Sequence, residues 1–442
     1  MPSSDRALLE KALGFYDSGK TQEAESALCD LAARYPHQFD VVETLGLIYA
    51  ERGELERALP LLEAACVSNP SSAGAAANLG AAYVRLNRVQ QAMMTLRRAA
   101  SLDPKNSQTE SSYGQALMMA KRPLEAVQAF AAASAGDPRN PDILYNWALA
   151  AFESDGFRQA SGILARIPPA LRSAQVESLC GDVEESLAQF DRALACFQNA
   201  AKLEPSEPNL RALCLELLKH WSFEEAARVY EYGVGKYPSS ARLQTGLGIA
   251  LYGSAQYEKA ALVFSRLLSA APNQASYARF LGEACAATKA ESGEFCQVLL
   301  VYARAHPTDV VAARLAAATI VEWHDSTRYD VARQLLERAI AQDPGSADGY
   351  FHMGVLDQEQ GKWSDSVSML KHATALRPAS SKTHVRLAQA YSRLGQKQAA
   401  HSEALLARQF RQSEDIEMET KRKDLRTFIL ENDPGVHVPN SN

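Results

Sequence analysis

The sequence holds little of what usually marks catalysis. Its nine histidines are scattered, its seven cysteines include no CxxC pair, and neither a GxSxG elbow nor an HExxH pair occurs. These absences remove nucleophile-elbow hydrolases and zincin-type hydrolases as readings. Strand signals are nearly absent. Charge of one sign is also lacking: 46 Lys and Arg against 52 Asp and Glu leave a net −6. The whole chain therefore exerts no pull on nucleic acid or on an anionic membrane surface. The apolar runs are too short and too interrupted to span a bilayer. The first residues, Met1-Pro2-Ser3-Ser4-Asp5-Arg6, carry neither the basic nor the apolar region of a secretory leader.

What is present is proline at a nearly fixed interval. Pro36, Pro70, Pro104 and Pro138 stand 34 residues apart, and after one missed beat come Pro205, Pro238, Pro272, Pro307, Pro344 and Pro378. A period of this size marks a stack of similar structural repeats. Other positions recur in phase with the proline. A small residue stands 24 before it: Gly46, Gly80, Gly114, Gly181, Cys214, Gly248 and Gly354. Alanine stands 12 before it at Ala58, Ala92, Ala126, Ala193, Ala226, Ala260 and Ala332. A bulky apolar residue stands eight before it, as at Leu62, Leu96, Phe130, Phe197, Tyr230, Phe264, Leu336 and Leu370.

This is the pattern of a helical hairpin. Leu45, Gly46 and Tyr49 share one amphipathic segment, and Ala58, Leu62 and Ala65 fall at helical spacing on the next. Small residues let the two backbones approach, and a large residue from one helix fills the space beside a small one on the other. Turn signals such as Arg52-Gly53-Glu54 and Leu394-Gly395-Gln396 separate the helices. Proline then ends the second helix. Twelve repeats start near residues 5, 39, 73, 107, 141, 174, 207, 241, 275, 310, 347 and 381. Three depart from the pattern. Ile167-Pro168-Pro169 cuts short the second helix of the fifth, and extra residues around 289–293 and 323–328 lengthen turns in the ninth and tenth.

The segment Asn78-Leu79-Gly80-Ala81-Ala82-Tyr83, followed by Ala92, Leu96, Ala99 and Pro104, resembles the consensus of the tetratricopeptide repeat (TPR) family. The resemblance covers residues 5–410. It implies an all-α, right-handed α-solenoid of about twelve helix-turn-helix repeats that binds protein. The expected organisation is five repeats over 1–172, seven over 173–410, a charged capping helix over 411–432 and a disordered tail over 433–442. The cysteines fall in the repeat core. Cys214 takes a small-residue site, Cys180 precedes Gly181, and Cys285 stands where other repeats have Tyr49 or Tyr83. They read as buried free thiols in a reducing compartment. The expected location is the cytoplasm, with an excised or mature form of an exported protein as the alternative.

In this family the first helices line the inner wall. By resemblance, the inner positions of this chain are Glu43, Leu47, Asn78, Ala81, Gln115, Tyr145, Asn146, Leu149 and Phe152 in the earlier repeats, and Arg211, Arg279 and Arg314 in the later ones. Leu215, Thr245, Ile249, Phe351, His352, Lys382, Arg386 and Gln389 hold equivalent positions. Tyr145, Leu149 and Phe152 lie at i, i+4 and i+7 beside Asn146, which suits an extended peptide: aromatic pockets for side chains and an amide for the backbone. The arginines suit carboxylates. The expected ligand is therefore a protein segment with an apolar anchor and an acidic stretch. The bland alternatives are packing of the aromatics against the next repeat and pairing of the arginines with neighbours such as Glu283.

One grouping looks chemical, Trp323-His324-Asp325, and its place in a lengthened turn reads as a polar loop anchored by tryptophan. His401 and Glu403 do not make a metal spacing. No catalytic residues, cofactor or metal are expected. A non-catalytic scaffold is the first reading. The rivals are the substrate-recognition arm of a glycosyltransferase-type enzyme and a component of cell-envelope or secretion assembly.

Overall fold

The computed structural model describes residues 1–288 and 294–411. Within them the regular elements are all helical: 24 α-helices and two short 3-10 turns, with 79% helix and no strand. The α-helices pair into twelve hairpins. Their first helices begin at Ser3, Phe39, Ala73, Ser107, Pro141, Ala174, Glu207, Ala241, Ala275, Val310, Ala347 and Ser381. From the second repeat onward each start coincides with the repeat phase. The inserted turn at 289–293, the capping helix beyond 411 and the tail lie outside the described residues.

The helix ends follow from local chemistry. Pro70, Pro104, Pro238 and Pro378 are each followed two residues later by Ser72, Asn106, Ser240 or Ser380. Each of these side chains accepts a hydrogen bond from the backbone N–H three residues on. Such a cap stabilises a helix start by about 1 kcal/mol. Inside the hairpins, the turn holds one left-handed residue: glycine at 19, 53, 361 and 395, and a non-glycine at Asn87, Lys121, Asp155, Ala188, Trp221, Ala255 and His324.

Hairpin packing has the expected geometry. A Cβ placed on Gly80 would lie 2.6 Å from Leu96 Cδ2, and one on Gly248 would lie 2.7 Å from Phe264 Cζ. These contacts leave no room for a side chain. The seventh hairpin is different because Cys214 fills the small-residue site and is fully buried. Tyr230 turns instead to the next hairpin, where a Cβ on Gly246 would collide with its ring.

The fifth hairpin has the expected short second helix, Phe157–Leu164, followed by a 3-10 turn at Pro169–Leu171. The lengthened tenth turn contains a 3-10 turn at Ser326–Arg328. Contacts group the chain into two compact units of six hairpins each, Met1–Glu204 and Pro205–Asn442. The irregular stretch after Leu164, where the sequence places a boundary at 172, lies inside the first unit. Within each unit the first helices of successive hairpins touch, for example Phe39–Glu51 with Ala73–Arg85 and Val310–Glu322 with Ala347–Glu359.

Contrary to the expectation from the sequence, the cysteines are not all buried free thiols: Cys29 is exposed, and four are bonded in pairs. Cys214 is free and buried, but Cys180 is bonded to Cys196 and Cys285 to Cys296, with Cα–Cα separations of 5.8 and 6.0 Å. These partners stand 16 and 11 residues apart, a spacing with no motif signature. The antiparallel hairpin of helices 174–186 and 190–203 closes the first of them.

Candidate functional site

In the first unit the inner positions are half-buried: Glu43, Leu47, Asn78, Ala81, Gln115, Tyr145, Asn146, Leu149 and Phe152. Burial and the nearby Asp40 carboxylate push the Glu43 carboxyl up. Tyr145, Leu149 and Phe152 pack against the apolar core formed by the fifth and sixth hairpins. Phe152 also meets Phe157, ring centroids 5.6 Å apart. The aromatics are thus core on one side and accessible on the other. Burial, with the Asp182 carboxylate adding to it, raises the Tyr145 phenol. Trp147 packs between two core clusters under the Arg166 guanidinium, 5.4 Å from its ring centroid. It is a packing residue, as its repeat position implies.

In the second unit a cleft of about 100 Å³ opens at inner positions of the seventh to ninth hairpins. Arg211, Leu215, Thr245 and Ile249 form it with Arg242 and Tyr277, over a floor made by Tyr230 and Gly246. The Thr245 hydroxyl is bonded to the Ala241 carbonyl at 2.7 Å and to the Tyr277 hydroxyl at 3.2 Å. Tyr230 reaches this floor by packing against Gly246 of the next hairpin. The other two arginines lie apart from it. Arg279 is paired along its own helix with Glu283 at 3.2 Å, the alternative weighed from the sequence. Arg314 lies 4.0 Å from Asp348.

Asp348 leads to a denser polar cluster that the sequence reading did not single out. Arg377 donates two hydrogen bonds to its carboxylate, at 2.9 and 3.3 Å. Burial pushes this carboxyl up, but Arg314 and Arg377 outweigh it and hold it below the usual range. Beside it, burial and Arg314 push the His352 imidazole down to about 3, with Lys382 and Arg386 adding to the effect. His352 is neutral at neutral pH, and its buried Nδ1 makes no hydrogen bond. Arg386 donates to the Gln358 side-chain oxygen at 3.4 Å. All of these residues except Asp348, Gln358 and Arg377 were placed at inner positions by repeat phase. What phase did not show was their convergence, because they come from three successive hairpins, the tenth to the twelfth.

Two chemical-looking motifs prove structural. The segment Gly14-Phe15-Tyr16-Asp17-Ser18-Gly19-Lys20-Thr21 fits the letters of a GxxxxGK[ST] phosphate loop. It lacks the preceding strand, and Gly14 lies inside the helix Ser3–Asp17. The N–H groups of Ser18, Gly19 and Lys20 are bonded to the carbonyls of Gly14, Tyr16 and Phe15, which leaves none of the three to cradle a phosphate. In the second, His324 pairs with Glu359 at 2.8 Å in the exposed tenth turn, and Trp323 Nε1 donates to the Thr288 carbonyl at 3.1 Å. The tryptophan anchors the turn.

Family models settle the architecture. One described as the N-terminal TPR repeats region of Psidin matches residues 2–107, and two tetratricopeptide repeat models match 117–183 and 78–141, 211–275 and 245–310. The chain belongs to the tetratricopeptide repeat family. A search of curated proteins found no match. Among solved structures, this TPR chain is similar to the Naa15/Naa10 complex bound to HypK-THB, at 16% identity and TM-score 0.38 over 91% of this chain and 68% of that one. It is similar to PilF of Pseudomonas aeruginosa at 19% identity and TM-score 0.39, over 46% of this chain and 94% of that one. YrrB, described as a TPR protein with an unusual peptide-binding site, aligns at 17% identity and TM-score 0.38 over 42% of this chain and 96% of that one. At such scores nothing about ligand or partner transfers. Among the described residues, no helix is long and apolar enough to cross a membrane.

Proposed function

We propose that this TPR protein is a non-catalytic interaction scaffold whose first-helix wall binds an extended protein segment. The observation that carries the reading is the cluster around His352. A neutral imidazole with an unpaired buried nitrogen sits among Arg314, Lys382 and Arg386, opposite the single carboxylate of Asp348. Such a site favours an acidic side chain, which would supply the missing charge and accept hydrogen bonds from the cations. The apolar and aromatic wall at Tyr145, Asn146, Leu149 and Phe152 gives the first unit a surface for apolar side chains. The ligand class is protein rather than nucleic acid, in keeping with the net charge of −6. The cytoplasmic placement carries one condition: in a reducing compartment both cystines stand as thiols.

The test is affinity capture with the intact chain, mapping of the bound segment, and titration of that segment at two salt concentrations. The expected segment is acidic, its affinity falls with salt, and Arg314→Ala and Lys382→Ala each weaken it. A mapped segment indifferent to both substitutions and to salt refutes the reading.

A further inference from the structure

The sixth hairpin brings together three metal-type donors that sequence spacing does not reveal. Glu177 and Cys180 lie one turn apart on the helix Ala174–Ser186, and Cys196 faces them from Phe190–Leu203. One carboxylate oxygen of Glu177 and the two sulfurs lie within 4.8 Å of one another. All three residues are at least nine-tenths buried. A carboxylate in such a place is expected to be fully hydrogen-bonded. Glu177 is not: its Oε1 meets Arg172 Nη1 at 3.5 Å, and its Oε2 has no partner. Arg172 is held by the carbonyls of Ile167 and Leu164 at 3.2 and 3.1 Å. It reaches that place because the preceding helix stops at Leu164, so the irregular fifth hairpin builds the surroundings of the cluster.

We propose that Glu177, Cys180 and Cys196 in the dithiol state bind one thiophilic divalent cation of the zinc class, and that the Cys180–Cys196 disulfide is the closed alternative of the same site. Zinc takes thiolate sulfur at about 2.3 Å and carboxylate oxygen at about 2.1 Å, so tetrahedral donors stand about 3.4–3.8 Å apart, and the two bonded sulfurs must part to reach that spacing. Rotation of either cysteine about χ1 separates the sulfurs once the bond between them is broken.

The chemistry balances. A dithiol reductant passes two electrons into the Cys180–Cys196 bond, each sulfur gains a proton, and the reductant leaves as its own disulfide. The cation then bonds both sulfurs and Glu177 Oε2, and the two thiol protons go to water. Two thiolates and a carboxylate carry −3, which the cation and Arg172 cancel. A water completes four-coordination. Without a cation, two neutral thiols leave Glu177 paired with Arg172 alone, so both states are neutral overall.

The experiment uses the full chain, reduced with dithiothreitol, freed of reductant without air, and titrated with cobalt(II) as a spectroscopic probe and then with zinc. The expected result is one cobalt per chain with thiolate-to-metal charge-transfer absorption, displaced by one equivalent of zinc. The unreduced chain should give no such band. Cys285→Ser with Cys296→Ser should leave the titration unchanged, and Cys180→Ser with Cys196→Ser should abolish it. Glu177→Gln keeps side-chain size and both thiols and should lower zinc affinity tenfold or more, with folding checked by circular dichroism. Failure of the reduced parent to bind cobalt overturns the proposal. So does a band that survives loss of Cys180 and Cys196, or unchanged zinc affinity in Glu177→Gln.

Discussion

Replacing Gly248 by alanine tests the hairpin geometry, because two opposing effects of known size meet there. The added methyl would lie 2.7, 2.8 and 3.1 Å from three atoms of the Phe264 ring. Carbon contacts are optimal at about 3.5–4.0 Å, so ring or backbone must shift by about 1 Å. The ring cannot retreat freely: it is fully buried, and Phe280 stacks on it with centroids 5.3 Å apart. Overpacking of this kind costs about 1–3 kcal/mol, and the rigid ring puts the site in the upper half of that range. Alanine in place of glycine in a helix returns about 1 kcal/mol. The net expectation is a loss of about 1–2 kcal/mol. Gly162 is the control. It is exposed, helical, and has nothing within 4 Å of a Cβ. Gly162→Ala should therefore stabilise by about 0.5–1 kcal/mol. Urea denaturation measures both, with hydrogen exchange of Tyr257–Ala270 to detect local unfolding in a repeat chain. If the two variants fall on the same side of the parent, the close approach of these helices is wrong.

Ala255 sits at φ 60°, a conformation that costs a non-glycine residue about 1 kcal/mol, so Ala255→Gly should raise the urea midpoint despite its added chain entropy, and a lowered midpoint contradicts the turn geometry. His352 is held near 3 when folded and returns to about 6.5 when unfolded, so below pH 6.5 the unfolded chain binds the extra proton. Stability should thus fall on acidification between those values, by up to about 1.4 kcal/mol per pH unit, and His352→Gln should flatten the slope. Tyr145→Ala should cost about 2 kcal/mol of binding to the mapped partner segment if the tyrosine anchors it, measured by calorimetry. Arg279→Ala should cost less, because Glu283 already occupies that guanidinium, and an equal loss would show that the ion pair opens on binding.

The repeat phase by itself determined the helical class, the number of hairpins and nearly every first-helix start. Those features rest on interactions within about 34 residues: helix-stopping prolines, caps two residues later, and small-to-large pairs such as Gly248 with Phe264. The shortened helix before Pro168 was legible for the same reason. Tertiary structure alone decided whatever depends on which side chains converge. Phase put Arg314, His352 and Lys382 on inner positions, but only burial beside Arg314, against the opposing pull of Asp348, leaves His352 neutral with its Nδ1 unbonded. Phase counted Cys180 as a core thiol, and only the antiparallel turn of its hairpin sets Cys196 against it and against Glu177 on the same helix. Tyr230 looked like one more filler residue, and only the structure shows it against Gly246 of the next hairpin, flooring a cleft. A periodic sequence records contacts that repeat. Sites made by departures from the period depend on side chains meeting across helices, and those distances are not written in the spacing.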